Sequence, residues 1–129
     1  MYQRENGKPN IQNILTADES SFDLSILEEM DDPEYTTEII TLFLKDTPRQ
    51  LKEIREALTA GALETVYKTA HKLKSSAGIL QANNLIKLLA DIETIAKAGK
   101  ANEQLNSLLK NAEQEYNSIE QKLKSYLKK

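Results

Sequence analysis

The sequence predicts an all-α protein: an antiparallel, up-down-up-down four-helix bundle with a short extra helix on its N-terminal side. Three observations lead there. Apolar residues recur at spacings of three and four through successive stretches from Tyr35 to Leu127, as core-facing helices require. The stretches are divided by short links around Gly61, Gln81–Asn83 and Gly99, and short links make consecutive helices antiparallel neighbours. No run shows the alternation of a strand, and no internal repeat competes.

Each element has its own local reason. Residues 1–20 are polar, with Gly7, Pro9 and several Asn and Gln, and read as a loose arm preceding a bundle domain over 21–129. A short helix is expected from Asp23 to Met30, with Leu24 and Leu27 on its inner side. Asp32-Pro33-Glu34 is a strong helix start: Asp caps, Pro fits the first turn, and Glu favours the positive end of the dipole. Tyr35, Ile39, Leu42, Phe43, Leu51, Ile54 and Leu58 then form an apolar series, which Pro48 is expected to kink or break. After Gly61 a second long helix covers roughly residues 62 to 80, with Leu63, Val66, Ala70, Leu73, Ala77 and Leu80 inward. Asn83 is a plausible cap for the third, in which Leu85, Leu88, Leu89, Ile92, Ile95 and Ala96 face inward until Gly99 ends it. Asn102 opens the fourth, which carries Leu105, Leu108, Leu109, Ala112, Tyr116, Ile119, Leu123 and Leu127 inward.

Composition bounds the chemistry. The 129 residues fit one domain, long enough to bury a core without staples. Cysteine is absent, which excludes disulfides, thiolate catalysis and Cys-based metal sites; a single histidine excludes a His-rich metal site. No Glu-x-x-His pair occurs, so a carboxylate-bridged di-metal bundle lacks its ligands. The acid-rich span from Asp18 to Glu38 could attract cations but reads as a solvated face offsetting lysines elsewhere. No apolar run approaches the ~20 residues of a membrane span and no signal-peptide core is present, so a cytoplasmic protein is expected. A pI near 5.3 gives no support to nucleic-acid binding. Gly7, Gly61, Gly78 and Gly99 form neither GxGxxG nor GxxxxGK, so no phosphate-cradling loop for ATP is present.

The chemistry-bearing stretch is Ala70-His71-Lys72-Leu73-Lys74-Ser75-Ser76-Ala77-Gly78, which holds the only histidine. From Thr65 to Ala90 there is no Asp or Glu, yet Lys68, Lys72, Lys74 and Lys87 are all present in a chain of net charge −3. Such a field favours a dianionic phosphoryl group arriving at a nucleophile. His71 lies off the apolar stripe, on a face shared with Lys68, Lys74, Ser75 and Gly78. An idle surface histidine would leave the small residues unexplained. Ser75 and Gly78 open the backbone one and two turns further on, at a propensity cost of ~1 kcal/mol for a mid-helix Gly relative to Ala. A bare patch of that kind lets another protein's surface approach.

These residues carry a resemblance to a known family. His71-Lys72-Leu73-Lys74-Ser75-Ser76-Ala77-Gly78 resembles the signature of histidine-containing phosphotransfer (HPt) domains, His-x-Leu-Lys-Gly-Ser followed by small residues. The likeness runs from about Asp32 to Leu127, including Ile39-Ile40-Thr41-Leu42-Phe43-Leu44 upstream and Leu88-Leu89-Ala90-Asp91-Ile92-Glu93 downstream. Two positions depart from it. Ser75 stands where the motif has Gly, and Gln81 stands where a second Gly is common, which leaves the shape of that turn open.

The resemblance implies a four-helix bundle that takes a phosphoryl group from a receiver-domain aspartate onto His71 and hands it to another. It implies that Glu93, 22 residues after His71, accepts a hydrogen bond from Nδ1–H and leaves the Nε2 lone pair exposed as nucleophile. Beside Ile92 on the inward stripe, Glu93 falls at the margin of a helix interface; without the family it would read as an ordinary solvated residue. Lys74 can offset charge on the phosphoryl oxygens. Lys68 and Lys72, with Ser75 and Gly78, are assigned to partner docking, and the serine hydroxyls are as able to back-bond to the helix. The protein is expected to be a monomeric carrier and not an enzyme, without cofactor or metal of its own, the magnesium and the phosphorylatable aspartate coming from the partner. That partner would be a response-regulator receiver domain or a hybrid histidine kinase, with no nucleic acid and no membrane involved. The alternative is a non-catalytic helical interaction module with the histidine idle.

Overall fold

The computed structural model describes residues 21–100 and 103–128, and the loose arm expected at 1–20, like Asn102, lies outside them. Among the described residues there are five α-helices and no strand: α1 (Ser25–Glu29), α2 (Pro33–Thr59), α3 (Leu63–Ile79), α4 (Asn83–Lys97) and α5 (Glu103–Leu127). Helices α2 to α5 each pack on their neighbour in sequence, α5 closes against α2, and diagonal pairs do not meet. That is the antiparallel four-helix bundle. None of the described helices is long and apolar enough to cross a membrane.

The core follows the sequence stripes. Val66, Ala70, Leu73 and Ala77 of α3 meet Leu85, Leu89, Ile92 and Ala96 of α4, with Ile40, Phe43, Leu51 and Ile54 of α2 and Leu105, Leu109, Ala112, Ile119 and Leu123 of α5 completing one cluster. Removing these side chains from water supplies the main driving force. Two members of the α2 series fall outside it: Tyr35 and Leu42 are exposed, and Thr36, Thr47 and Ala57 are buried in α2.

The helix ends show how the bundle turns its corners. Asp32 accepts from the Tyr35 amide at 3.1 Å with Pro33 at the first helical position, as the sequence requires. The ends of α2, α3 and α4 share one turn, in which the Ala62, Ala82 and Lys100 amides reach back to the Ala57, Ala77 and Ile95 carbonyls. Such turns need a left-handed residue, here Gly61 (φ +74°), Gln81 (φ +50°) and Gly99 (φ +77°). Gln81 thus keeps the shape that glycine would give. Asn83 is not the cap of α4; it is the first helical residue, and Ala82 at the cap position offers no side-chain bond. The extra helix is shorter than Asp23–Met30, but Leu24 and Leu27 face inward as expected. It is tied down by the Asp23 amide on the Leu80 carbonyl at 2.9 Å and by Tyr126, whose hydroxyl donates to Glu28 at 3.2 Å.

Pro48 neither breaks nor ends α2, which runs unbroken from Pro33 to Thr59. Proline cannot donate to the carbonyl four residues earlier, that of Leu44. The Tyr116 hydroxyl of α5 donates to that carbonyl at 3.3 Å instead. Burial pushes the Tyr116 phenol up to about 12, so it stays protonated and a donor. The missing backbone bond is replaced across the bundle.

Candidate functional site

Helices α3 and α4 pack face to face along the rows that contain Ala70, Leu73 and Ala77 on one side and Leu89, Ile92 and Ala96 on the other. Small residues in the α3 row let the helices approach. Side chains one step off each row meet at the seam. His71 follows Ala70 and projects from mid-helix; Glu93 follows Ile92 and faces it.

His71 Nδ1 and Glu93 Oε2 are 3.0 Å apart, and the Lys74 ammonium donates to Glu93 Oε1 at 2.9 Å. The His71 side chain is 61% exposed, Glu93 only 11% and Lys74 31%. A carboxylate can only accept, so Nδ1 carries the hydrogen and Nε2 is the ring nitrogen turned away from Glu93. The Lys74 hydrogen bond holds the Glu93 carboxyl below the usual carboxylate range against the opposing effect of burial, with a smaller contribution from His71. Glu93 is therefore an ionised acceptor that fixes the ring. Chemically, the arrangement presents an oriented, exposed imidazole beside several ammonium groups.

The remaining predicted residues divide. Lys72 lines an open groove of about 600 Å³ beside the imidazole, together with Tyr67, Lys68, Glu53 and Lys97. The Lys68 ammonium, though in the groove, pairs with Glu64 at 2.7 Å, a local i,i+4 contact exposed on both sides. Lys74, expected to offset charge on phosphoryl oxygens, has its ammonium on Glu93. The Ser75 hydroxyl back-bonds to the His71 carbonyl at 3.4 Å. Gly78 is exposed, and a Cβ placed there would meet nothing within 4 Å. Beyond Ser75 and Gly78 the surface turns apolar: Leu42 of α2 (48% exposed) and Ile79 of α3 (49% exposed) border a shallow groove with Ile39, Phe43 and Ser76.

One site residue escapes the sequence reading. Lys97 of α4 places Nζ 3.6 Å from Glu93 Oε2 and 5.6 Å from the centre of the Tyr67 ring. Its signal is slight, a lysine in the last turn of a helix, where any helix favours a cation. Among the described residues, no three His, Cys, Asp or Glu side chains converge as a metal would require.

Comparison with known proteins agrees with this fold. The family model described as "Hpt domain" matches residues 38–125. Among solved structures, the chain is similar to histidine-containing phosphotransfer protein B (HptB) from Pseudomonas aeruginosa PAO1, at 22% identity and a TM-score of 0.77 over 82% of this chain and 93% of that one. No curated protein sequence matches.

Proposed function

The chain belongs to the Hpt domain family, and on that premise we propose that it is a phosphorelay carrier whose phosphoryl acceptor is His71, loaded from the aspartyl phosphate of a receiver domain and unloaded onto another. The observation that carries the reading is the His71–Glu93–Lys74 cluster, in which Nδ1 is tied at 3.0 Å and Nε2 is left open.

In the transfer, the Nε2 lone pair attacks phosphorus and the bond between phosphorus and the aspartyl oxygen breaks, returning a carboxylate to the receiver. The proton stays on Nδ1, so the phosphorylated ring is cationic as it forms. Glu93 opposes that charge directly through its hydrogen bond, which strengthens as the ring becomes positive. Lys74 offsets the phosphoryl oxygens, the Ser75–Gly78 face admits the receiver, and Leu42 and Ile79 supply apolar contact at its edge. Magnesium and the phosphorylatable aspartate come from the partner. The protein acts as a monomer in the cytoplasm and is consumed and regenerated once per transfer, as a carrier and not as a kinase.

The test is transfer from a phosphorylated receiver in the presence of magnesium. The expected label is acid-labile and base-stable, as a phosphoramidate on imidazole is, and it is absent from His71→Gln and from protein incubated with ATP alone. Labelling by ATP without a kinase, or labelling of His71→Gln, would overturn the carrier reading and leave an interaction module.

A further inference from the structure

Lys97 has no part in the transfer as described, yet it touches the oxygen on which the transfer depends. Its ammonium approaches Glu93 Oε2, the atom that takes the His71 hydrogen bond, at 3.6 Å, whereas Lys74 binds Oε1 at 2.9 Å. The Tyr67 ring, one turn before His71 on α3, faces the Lys97 ammonium at 5.6 Å, a second attraction that keeps it at the seam. The other cations of the groove do not duplicate it: Lys68 is engaged by Glu64, and Lys72 makes no ion pair with Glu93.

Charge balance gives this placement a purpose. An arriving phosphoryl group brings close to two negative charges to Nε2, while a second anion, Glu93, sits behind the same ring. Lys74 cannot serve both at full strength, because in the resting site its ammonium already lies on Oε1. As Lys74 turns towards the phosphoryl oxygens, Glu93 loses its nearest counter-charge at the moment its hydrogen bond to Nδ1 matters most.

We propose that Lys97 is a positioning residue that keeps Glu93 Oε2 on His71 Nδ1 while Lys74 is handed over to the phosphoryl group. The proposal rests on the carrier reading above. Lys97 acts through the carboxylate and does not contact the reacting atoms, so its effect requires Glu93 to be charged.

A double-mutant cycle tests this. Lys97→Met keeps the aliphatic stem and removes the charge; it should slow transfer on the order of fivefold, the scale of a partly exposed ion pair. Lys97→Arg should restore the rate. In a Glu93→Gln background, where a neutral amide needs no counter-charge, Lys97→Met should change nothing. Equal slowing in both backgrounds would overturn the proposal by placing Lys97 on the phosphoryl group or the partner, and no slowing in either would reduce it to a surface lysine. A partner-free readout separates the two readings. In a Lys74→Ala background, ring-nitrogen NMR should show that Lys97→Met lowers the fraction of His71 carrying its hydrogen on Nδ1. An unchanged fraction would also overturn the proposal, whereas failure of the unmodified protein to label would overturn only the carrier reading.

Discussion

Replacing Glu93 with alanine removes, in one step, the acceptor of the Nδ1 hydrogen and the counter-charge of two lysines. The magnitude follows from the geometry. A hydrogen bond to a charged group contributes ~1.5–3 kcal/mol when well shielded. The carboxylate is shielded, at 11% exposure, but the ring it holds is 61% exposed, so the lower end applies to the transfer step. About 1.5 kcal/mol is roughly a tenfold loss of rate. Stability should fall by ~1 kcal/mol or less, since Lys74 and Lys97 can turn to water when their partner is gone. Glu93→Gln keeps an acceptor for Nδ1 and loses only the charge, so it should retain more activity than the alanine variant. Rapid-quench transfer from a phosphorylated receiver, at saturating and sub-saturating carrier, separates the chemical step from docking. The reasoning is refuted if folded Glu93→Ala transfers at the unmodified rate, or if its whole deficit disappears at saturation.

Lys74→Ala should slow transfer by about 10²-fold without preventing it, because it removes charge stabilisation and leaves the nucleophile. The same change should raise the Glu93 titration midpoint seen by carboxyl-carbon NMR. Because that pKa is depressed in the fold, the stability from its ionisation exists above the ordinary carboxylate range and is lost as pH falls through the depressed value; the variant should lose this increment. Gly78→Arg should leave the melting temperature within ordinary surface-substitution limits, since the position is open, yet weaken receiver docking in a binding titration. Tyr116→Phe should cost ~1 kcal/mol by denaturant unfolding, because it strips the donor from the Leu44 carbonyl while preserving shape. In a Pro48→Ala background, where the backbone can donate again, that cost should fall towards zero.

What could be read in advance was whatever depends on near neighbours in sequence. The Asp32-Pro33 start, the inward stripes and the outward direction of His71 follow from periods of three and four, and the packing agrees. The pairing of His71 with Glu93 came from family likeness at a spacing of 22 residues, since no local rule links residues on separate helices. Features with a distant cause were misread or missed. Pro48 looks like a break because its compensating donor lies on α5. Lys97 looks like an ordinary last-turn cation until Tyr67 and Glu93 are brought beside it. Asn83 looks like a cap because its side chain suits one, but the left-handed turn at Gln81 starts α4 one residue earlier and leaves Asn83 inside the helix, with Ala82 at the cap.

The bond between Tyr116 and the Leu44 carbonyl also bears on the order in which the protein assembles. A helix normally completes itself from within, and α2 cannot do so at Pro48. Its two halves can form separately, but the joint is satisfied only when a residue 72 positions along the chain arrives. Closing so long an interval carries an entropic cost that a hairpin of neighbouring helices avoids. The α3–α4 pair, which holds His71, Lys74 and Glu93 and is joined by a short turn, has no such dependence. The pair bearing the phosphoryl chemistry should therefore consolidate early, and the full length of α2 should lock only with the arrival of α5, so that amide exchange near Leu44 tracks the docking of the last helix.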